Sequence, residues 1–162
     1  MSQRLSVAIV LLAASAAASA QAIRTERALS LDLANQIAGA TVAACSAAGY
    51  NVAATVVDRA GVTRAVQRAD NAGPHTIAAS YDKAFTAASA KNSTLAMMEG
   101  AQKNPGAANL VNIRGFLLLG GGVPIKVGNE VVGALGVGGA PGGHLDEQCA
   151  VAALDKFKDT LK

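Results

Sequence analysis

Apolar and polar positions change their spacing several times along the chain, and each spacing predicts a different element. Apolar residues recur three and four positions apart between residues 30 and 48, which is the spacing of a helix with one buried face. Ser30 precedes this helix as a candidate N-cap, and Gly49 follows it as a stop. Residues 51–58 are mostly β-branched and apolar, whereas residues 62–68 alternate. These two runs and the turn between them predict a β-hairpin.

The same spacings predict further helices and strands in the rest of the chain. The predicted helices cover residues 74–90, 94–100 and 144–161, and the predicted strands cover residues 116–119, 123–127 and 130–137. Strands that arrive in hairpins pair antiparallel, and helices must cover the faces of the resulting sheet. We therefore predict a layered α+β domain in which helices flank a largely antiparallel sheet of about five strands.

The N-terminal residues follow the pattern of an export signal. Arg4 precedes a run of small and apolar residues over 7–18, and the tripeptides that end at Ala20 and Ala22 both fit a small-x-small cleavage site. The apolar run is too short to span a bilayer, which takes about 20 residues. The sequence thus predicts a secretory signal peptide over residues 1–20 and a domain over residues 21–162. The protein would be periplasmic or secreted, without a membrane span in its mature form; an uncleaved anchor or a buried helix is the alternative.

The amino-acid composition excludes disorder and argues against one class of binding partner, nucleic acid. With 51% apolar residues the chain is not disordered. Its formal charge of +3 falls to +2 when Arg4 is removed with residues 1–20, and only 3% of the residues are aromatic. Nucleic acid is not an expected partner, because the basic footprint and the stacking side chains are both lacking. Few large side chains also predict a shallow or intersubunit ligand site rather than a deep aromatic pocket.

The two cysteines, Cys45 and Cys149, have two interpretations. In an oxidising compartment such a pair favours a disulfide. Free cysteine is also among the most buried residue types, so two separate buried thiols are equally compatible with the sequence.

A glycine-rich run over residues 138–143 leads directly into the predicted last helix. Free backbone N–H groups and the positive end of the helix dipole would suit an anion or a carboxylate there. The alternative is a tight connection in which glycine permits positive φ and close backbone approach. Neither a dinucleotide-binding pattern nor a P-loop pattern is present.

The two histidines, His75 and His144, each stand at a predicted helix start. Either imidazole could coordinate iron or another metal ion through a ring nitrogen. The simpler interpretation is that each histidine is an exposed polar residue at a helix end.

Charged residues flank the loop that carries the first histidine. Arg68 and Lys83 could pair with the carboxylates of a ligand. Alternatively they are solvated, or they form structural ion pairs with Asp70 or Asp82. The adjacent acids Asp146 and Glu147 are interpreted as complementing the helix dipole rather than as a catalytic pair. The sequence predicts no catalytic residue, and the candidate ligand-binding residues are His75, Arg68, Lys83, Gly138, Gly139, Gly142, Gly143 and His144.

Two stretches of the sequence resemble the GlcG/HbpS family, which includes the C-terminal domain of PduO-type proteins. The first runs from Gly121 through the glycine-rich run to the segment Asp146-Glu-Gln-Cys-Ala150, and the second is Tyr81-Asp-Lys-Ala-Phe-Thr-Ala87. The resemblance extends over about residues 29–161.

The resemblance implies a compact layer sandwich around an antiparallel sheet, homo-oligomers and haem as a cofactor. For that haem we select His75 as the candidate axial ligand of the iron, because imidazole is a common axial ligand. It also implies a sensor protein as a possible partner, because one secreted relative works beside a two-component system. We therefore expect an exported haem- or small-ligand-binding protein that is accessory to haem sensing or uptake. The alternative is an enzyme or accessory protein of small hydroxy-acid metabolism, implied by the glycolate association of the GlcG name, whose carboxylate substrate would bind at residues 138–143.

Overall fold

The computed structural model describes residues 23–162, and the predicted signal peptide lies outside this range. The helices are α1 (Leu31–Ala47), α2 (Thr76–Ala90), α3 (Thr94–Lys103), α4 (Pro105–Ala108) and α5 (Gly143–Asp155). The strands are β1 (Ala53–Asp58), β2 (Thr63–Arg68), β3 (Gly122–Val127) and β4 (Glu130–Gly138). The predicted α+β class with an antiparallel sheet is confirmed.

Local signals account for several of these boundaries. The Ser30 hydroxyl accepts a hydrogen bond from Leu33 N and so caps α1, and Ser93 caps α3 through Ala96 N. At the β1–β2 turn, Gly61 has a φ of 80°, and the Asp58 carboxylate accepts from Ala60 N and Val62 N. Each of these contacts joins residues that are at most four positions apart, which is why the sequence predicts these helices and this hairpin.

The sheet has four strands in the order β2-β1-β4-β3, and every neighbouring pair is antiparallel. Helices α1 and α5 cover one face, where Ile37 and Cys45 pack with β-strand residues such as Val56. Helix α2 covers the other face, where Ala84 packs with Val57. The sheet therefore lies between two helical layers, and α2 packs flat on it because its inward residues are small.

The predicted fifth strand, residues 116–119, is wrong. This segment is irregular, and none of its residues pairs with a strand of the sheet. Phe116 N donates to Ile113 O in a local turn. Leu117 N donates to the Thr86 hydroxyl, and the Thr94 hydroxyl donates to Leu119 O. Because the helices satisfy these polar groups, the segment needs no place in the sheet.

Three helix boundaries also differ from the predictions. Helix α2 begins at Thr76 rather than Pro74, α3 continues to Lys103, and α5 ends at Asp155, after which residues 156–160 form turns. The Lys156 N–H donates to Ala153 O, a tightened bond that marks the end of α5. The short helix α4 lies between α3 and residues 116–119, where the sequence predicts no helix or strand.

A disulfide joins the two helices of one layer. The Sγ atoms of Cys45 in α1 and Cys149 in α5 are 2.10 Å apart, and the two residues are separated by 104 positions in the sequence. Both cysteines are buried in the hydrophobic core between the sheet and the layer of α1 and α5. None of the helices within residues 23–162 has the length and apolar character needed to cross a membrane.

Candidate functional site

A pocket of about 200 Å³ lies where the start of α2, the end of β4 and the start of α5 meet. We call it the glycine-loop pocket. Six of the eight predicted ligand-binding residues line it: His75, Lys83, Gly138, Gly139, Gly142 and Gly143. Ala79 and Asp146 also line it, and neither was among the candidates.

Helix periodicity explains how α2 contributes to this pocket. His75, Ala79 and Lys83 follow one another at intervals of four residues, so they lie on the same side of the helix. His75 is exposed at the N-cap position, whereas Lys83 is 1% exposed. The pocket therefore has a histidine at its rim and a lysine at its floor.

The lysine at the floor is paired with a buried carboxylate. Lys83 Nζ donates to Asp146 Oδ2 at 2.7 Å, and Asp146 is 2% exposed. The other carboxylate oxygen, Asp146 Oδ1, accepts from Ala140 N at 3.0 Å. The structural partner of Lys83 is thus Asp146 rather than Asp70 or Asp82, and 63 residues separate the pair.

Burial raises the pKa of the Asp146 carboxyl above its ordinary value of 3.8. The hydrogen bond and the positive charge of Lys83 act in the opposite direction, as do backbone N–H groups of Ala140 and Gly139. Lys83 therefore opposes the effect of burial and favours the charged form of the Asp146 carboxyl.

The two adjacent acids have different surroundings. Asp146 points into the interior, whereas Glu147 Oε2 accepts from the backbone N–H groups of Leu95 and Gly121, each at 3.3 Å. Glu147 is partly buried and does not line the glycine-loop pocket. Asp146 consequently ties the first turn of α5 to α2 and to the glycine-rich loop, and Glu147 ties α5 to α3 and to Gly121. Of the two acids, Asp146 lies in the first turn, where its charge complements the helix dipole.

Packing explains two of the glycines in the loop. A Cβ at Gly139, whose φ is 134°, would lie 2.5 Å from Asn51 O, and a Cβ at Gly143 would lie 2.7 Å from Gly120 N. Close backbone approach therefore requires glycine at both positions, whatever binds nearby. The atoms nearest to a Cβ at Gly142 would be those of the His144 ring, which can move.

His144 and Arg68 lie outside the glycine-loop pocket. The exposed His144 borders a separate groove of about 400 Å³ along α5, together with Leu95 and Val151. Arg68 is exposed on edge strand β2, in the same cross-strand row as Ala53 and Gly138. Two strand spacings, about 10 Å, thus separate the backbones of Arg68 and Gly138.

The lysine–aspartate pair is the part of the site that sequence reasoning missed. The two partners are far apart in the chain, and Asp146 looked like a dipole-complementing residue in a first turn. A usable signal was present in α2, because His75 and Lys83 are eight residues apart, two steps of four, which places both side chains on one side of the helix. Within residues 23–162, no group of three His, Cys, Asp or Glu side chains is arranged to hold a metal ion.

Comparison with known proteins places this geometry in a family. The family model described as "Haem degrading protein HbpS-like" matches residues 29–155. An uncharacterised 15.0 kDa protein of Citrobacter freundii, from the dhaT-dhaS intergenic region, is 32% identical over 135 residues, which cover 81% of this chain and 93% of that protein.

Solved structures agree with the family match. A double mutant of HbpS from Streptomyces reticuli is 36% identical, with a TM-score of 0.78 over 94% of this chain and 99% of that chain. The PduOC:heme complex, at 23% identity, has the same fold with a TM-score of 0.73 over 82% of this chain and 96% of that one. The resemblance noted in the sequence is confirmed, and the chain belongs to the HbpS-like family.

Proposed function

We propose that this protein is exported and binds haem, with His75 as the axial ligand. The description of the family as haem-degrading supports a haem-related function, since a haem must be bound before it can be degraded. The observation that carries the residue assignment is the placement of His75, exposed at the rim of the glycine-loop pocket. An exposed imidazole can coordinate haem iron through a ring nitrogen, as proximal histidines do.

The imidazole of His75 has few competing contacts. Its side chain makes no capping hydrogen bond to α2 within the described residues. The ring lies against Gly73, where a Cβ would be 2.8 Å from its Cε1 atom. A ring nitrogen of His75 is therefore available for iron without breaking a helix cap.

The size of the pocket determines how a haem would fit. Its volume of about 200 Å³ is below the roughly 300–1,000 Å³ of pockets that bury most of a ligand. Most of the porphyrin would lie outside the pocket, over exposed apolar side chains such as Leu119, which lines the pocket and is 42% exposed. A second copy of the chain would cover the opposite face, so we propose a homo-oligomer with an intersubunit haem.

Titration with haemin tests this proposal. Mature wild-type protein is expected to shift the Soret band, and His75→Ala should weaken binding by at least about tenfold, equivalent to about 1.4 kcal/mol. His144→Ala is the matched control, because this exposed histidine also follows a glycine by two positions and lies against it. Light scattering with and without haemin measures the oligomer.

The outcomes separate the parts of the proposal. A wild-type spectrum that haemin leaves unchanged would refute haem binding. Loss of the shift in His144→Ala, with His75→Ala unaffected, would transfer the ligand role to His144. A monomer in both states would exclude the intersubunit arrangement.

Export is supported by the signal-like N-terminus and by the Cys45–Cys149 disulfide, a bond that persists in oxidising compartments. An exported haem binder would serve haem sensing or uptake, with a sensor protein as a candidate partner.

The export proposal predicts a processed protein. The full chain, expressed in a bacterium with two membranes, should appear in the periplasmic fraction with Gln21 or Ile23 at its N-terminus. Ala20 belongs to both candidate cleavage sites, so Ala20→Gln should block processing, whereas Ser19→Gln changes neither small position. Intact mass and N-terminal sequencing measure the result. An unprocessed wild-type protein in the cytoplasm would contradict export.

A further inference from the structure

Helix α5 has an outer face that packs against nothing in residues 23–162 except α3 at one border. Its buried residues, such as Cys149 and Ala153, lie on the opposite side, toward the core. The outer face borders the groove of about 400 Å³ described above, which shares no residue with the glycine-loop pocket. The α5 residues that border this groove are His144, Glu147, Gln148, Val151, Ala152 and Asp155.

The order of residue types along this face suits a second copy of the same helix. In an interface with two-fold symmetry, a residue that contacts another across the axis is contacted by it in return. When two α5 helices lie antiparallel about an axis between positions 149 and 150, His144 faces Asp155, Gln148 faces Val151 and Glu147 faces Ala152. Any helix face with this spacing matches itself in position, so the chemistry of the matched residues decides whether the contact is favourable.

The two ends of the face carry complementary groups. The imidazole of His144 can donate an N–H and the carboxylate of Asp155 accepts one, and neither side chain takes part in an ion pair within residues 23–162. About 16 Å of helix axis separates the two residues in one chain, since each residue of an α-helix rises 1.5 Å, so they cannot meet there. An antiparallel second copy brings them together at both ends.

Asp155 has an unfavourable position in its own helix. It is the last residue of α5, where the free C=O groups form the negative end of the dipole. Local preference therefore does not account for a carboxylate there. In the antiparallel pair, Asp155 of the second copy lies beside the start of α5, which has no side-chain cap and forms the positive end. The same charge thus becomes favourable between two copies.

The middle of the face offers apolar contact without an opposing charge. Val151 is 45% exposed, and Leu95 of α3 borders the groove beside it. The remaining acid, Glu147, has its Oε2 atom engaged by the backbone N–H groups of Leu95 and Gly121. Its carboxylate is therefore held by donors of its own chain, and it does not oppose the approach of a second copy.

We propose that the outer face of α5 is a two-fold interface between two copies of this chain, in which His144 of each copy donates to Asp155 of the other. The family resemblance implies homo-oligomers, but it assigns no surface to them. The interface lies outside the glycine-loop pocket and forms without haem.

An exchange of the two end groups tests the contact. His144→Glu would place two carboxylates together, and Asp155→Arg would replace the acceptor by a cation, so each single variant should associate at least about tenfold more weakly than wild type. The double variant His144→Glu/Asp155→Arg restores opposite charges and should associate within about threefold of wild type. Because the two positions cannot touch within one chain, this recovery requires contact between copies.

Sedimentation equilibrium of the haem-free mature protein measures the association, and urea denaturation checks each variant. A glutamate at the start of α5 and an arginine at its end both suit the helix dipole, so the variants should remain folded. A monomeric wild type, single variants that associate like wild type, or a double variant as weak as the single ones would overturn the proposal. No haemin is present, so a failure of haem binding leaves this result unaffected.

A second pair of variants tests the middle of the face. Val151→Lys should weaken association at least about tenfold, because it places an ammonium group close to the axis from each copy. Val66→Lys is the matched control: Val66 is 42% exposed, and it lies opposite Thr55 on the sheet face that α2 covers. Equal association of these two variants would also contradict an interface on α5.

Discussion

Replacing Cys45 and Cys149 together by serine is expected to lower the free energy of unfolding by about 2–5 kcal/mol. The disulfide closes a loop with a sequence separation of 104 residues, and the chain-entropy model gives about 4.7 kcal/mol for a loop of about 100 residues. It also joins α1 to α5 within a single helical layer. Urea denaturation followed by circular dichroism, with linear extrapolation to water, measures the difference.

Reduction of the wild type supplies a control for this prediction. Dithiothreitol should lower the stability of the wild-type protein toward that of the double serine variant, and it should leave the variant unchanged. A single Cys45→Ser variant should resemble the double variant in monomer stability, because either substitution opens the loop. Equal stability of the oxidised wild type and the double variant would contradict a stabilising bridge.

The features predicted correctly from the sequence are those governed by neighbours in the chain. The Ser30 cap of α1 and the turn at Gly61 depend on contacts within a few residues, and such contacts appear directly in the sequence. The hairpin pattern likewise gives antiparallel pairing, because a short turn leaves the two strands no other arrangement.

The wrong predictions involve partners that are distant in the chain. Residues 116–119 have the composition of a strand, but the hydroxyls of Thr86 and Thr94 take part in their backbone hydrogen bonding. No local pattern could reveal these helical partners. The apolar spacing that predicted a helix to residue 161 persists beyond α5, since Phe157 and Leu161 still pack against the core although the helix has ended.

The candidate site also has parts that local sequence predicts and parts that depend on tertiary packing. Glycine-rich composition identified the loop at residues 138–143, and helical periodicity places Lys83 and His75 on the same side of α2. The contact of Lys83 with Asp146 arises only when α2 and α5 approach the end of β4 from different directions. That approach is a property of the tertiary packing, so the sequence could supply both residues but not their pairing.

That buried pair leads to the second large effect: Lys83→Met is expected to lower the free energy of unfolding by about 3–5 kcal/mol. Methionine has a similar length, but it leaves the Asp146 carboxylate, 2% exposed, without its cation. In the double variant with Asp146→Asn the charge is absent, and the new amide oxygen can still accept from Ala140 N. We expect the double variant to recover about 1–3 kcal/mol relative to Lys83→Met, a coupling typical of contacting residues.

The dependence on pH gives this prediction a definite sign. Burial already raises the pKa of Asp146 above 3.8, and removal of Lys83 takes away the largest opposing influence, so the pKa should rise further. A raised pKa means that folded Lys83→Met holds a proton that the unfolded chain has released. Its deficit relative to the double variant should therefore be small below pH 3.8 and grow as pH rises through the folded-state pKa. Urea denaturation of both variants across this range measures it, and a deficit that instead grows toward acid pH would show that the uncompensated carboxylate is not the cause.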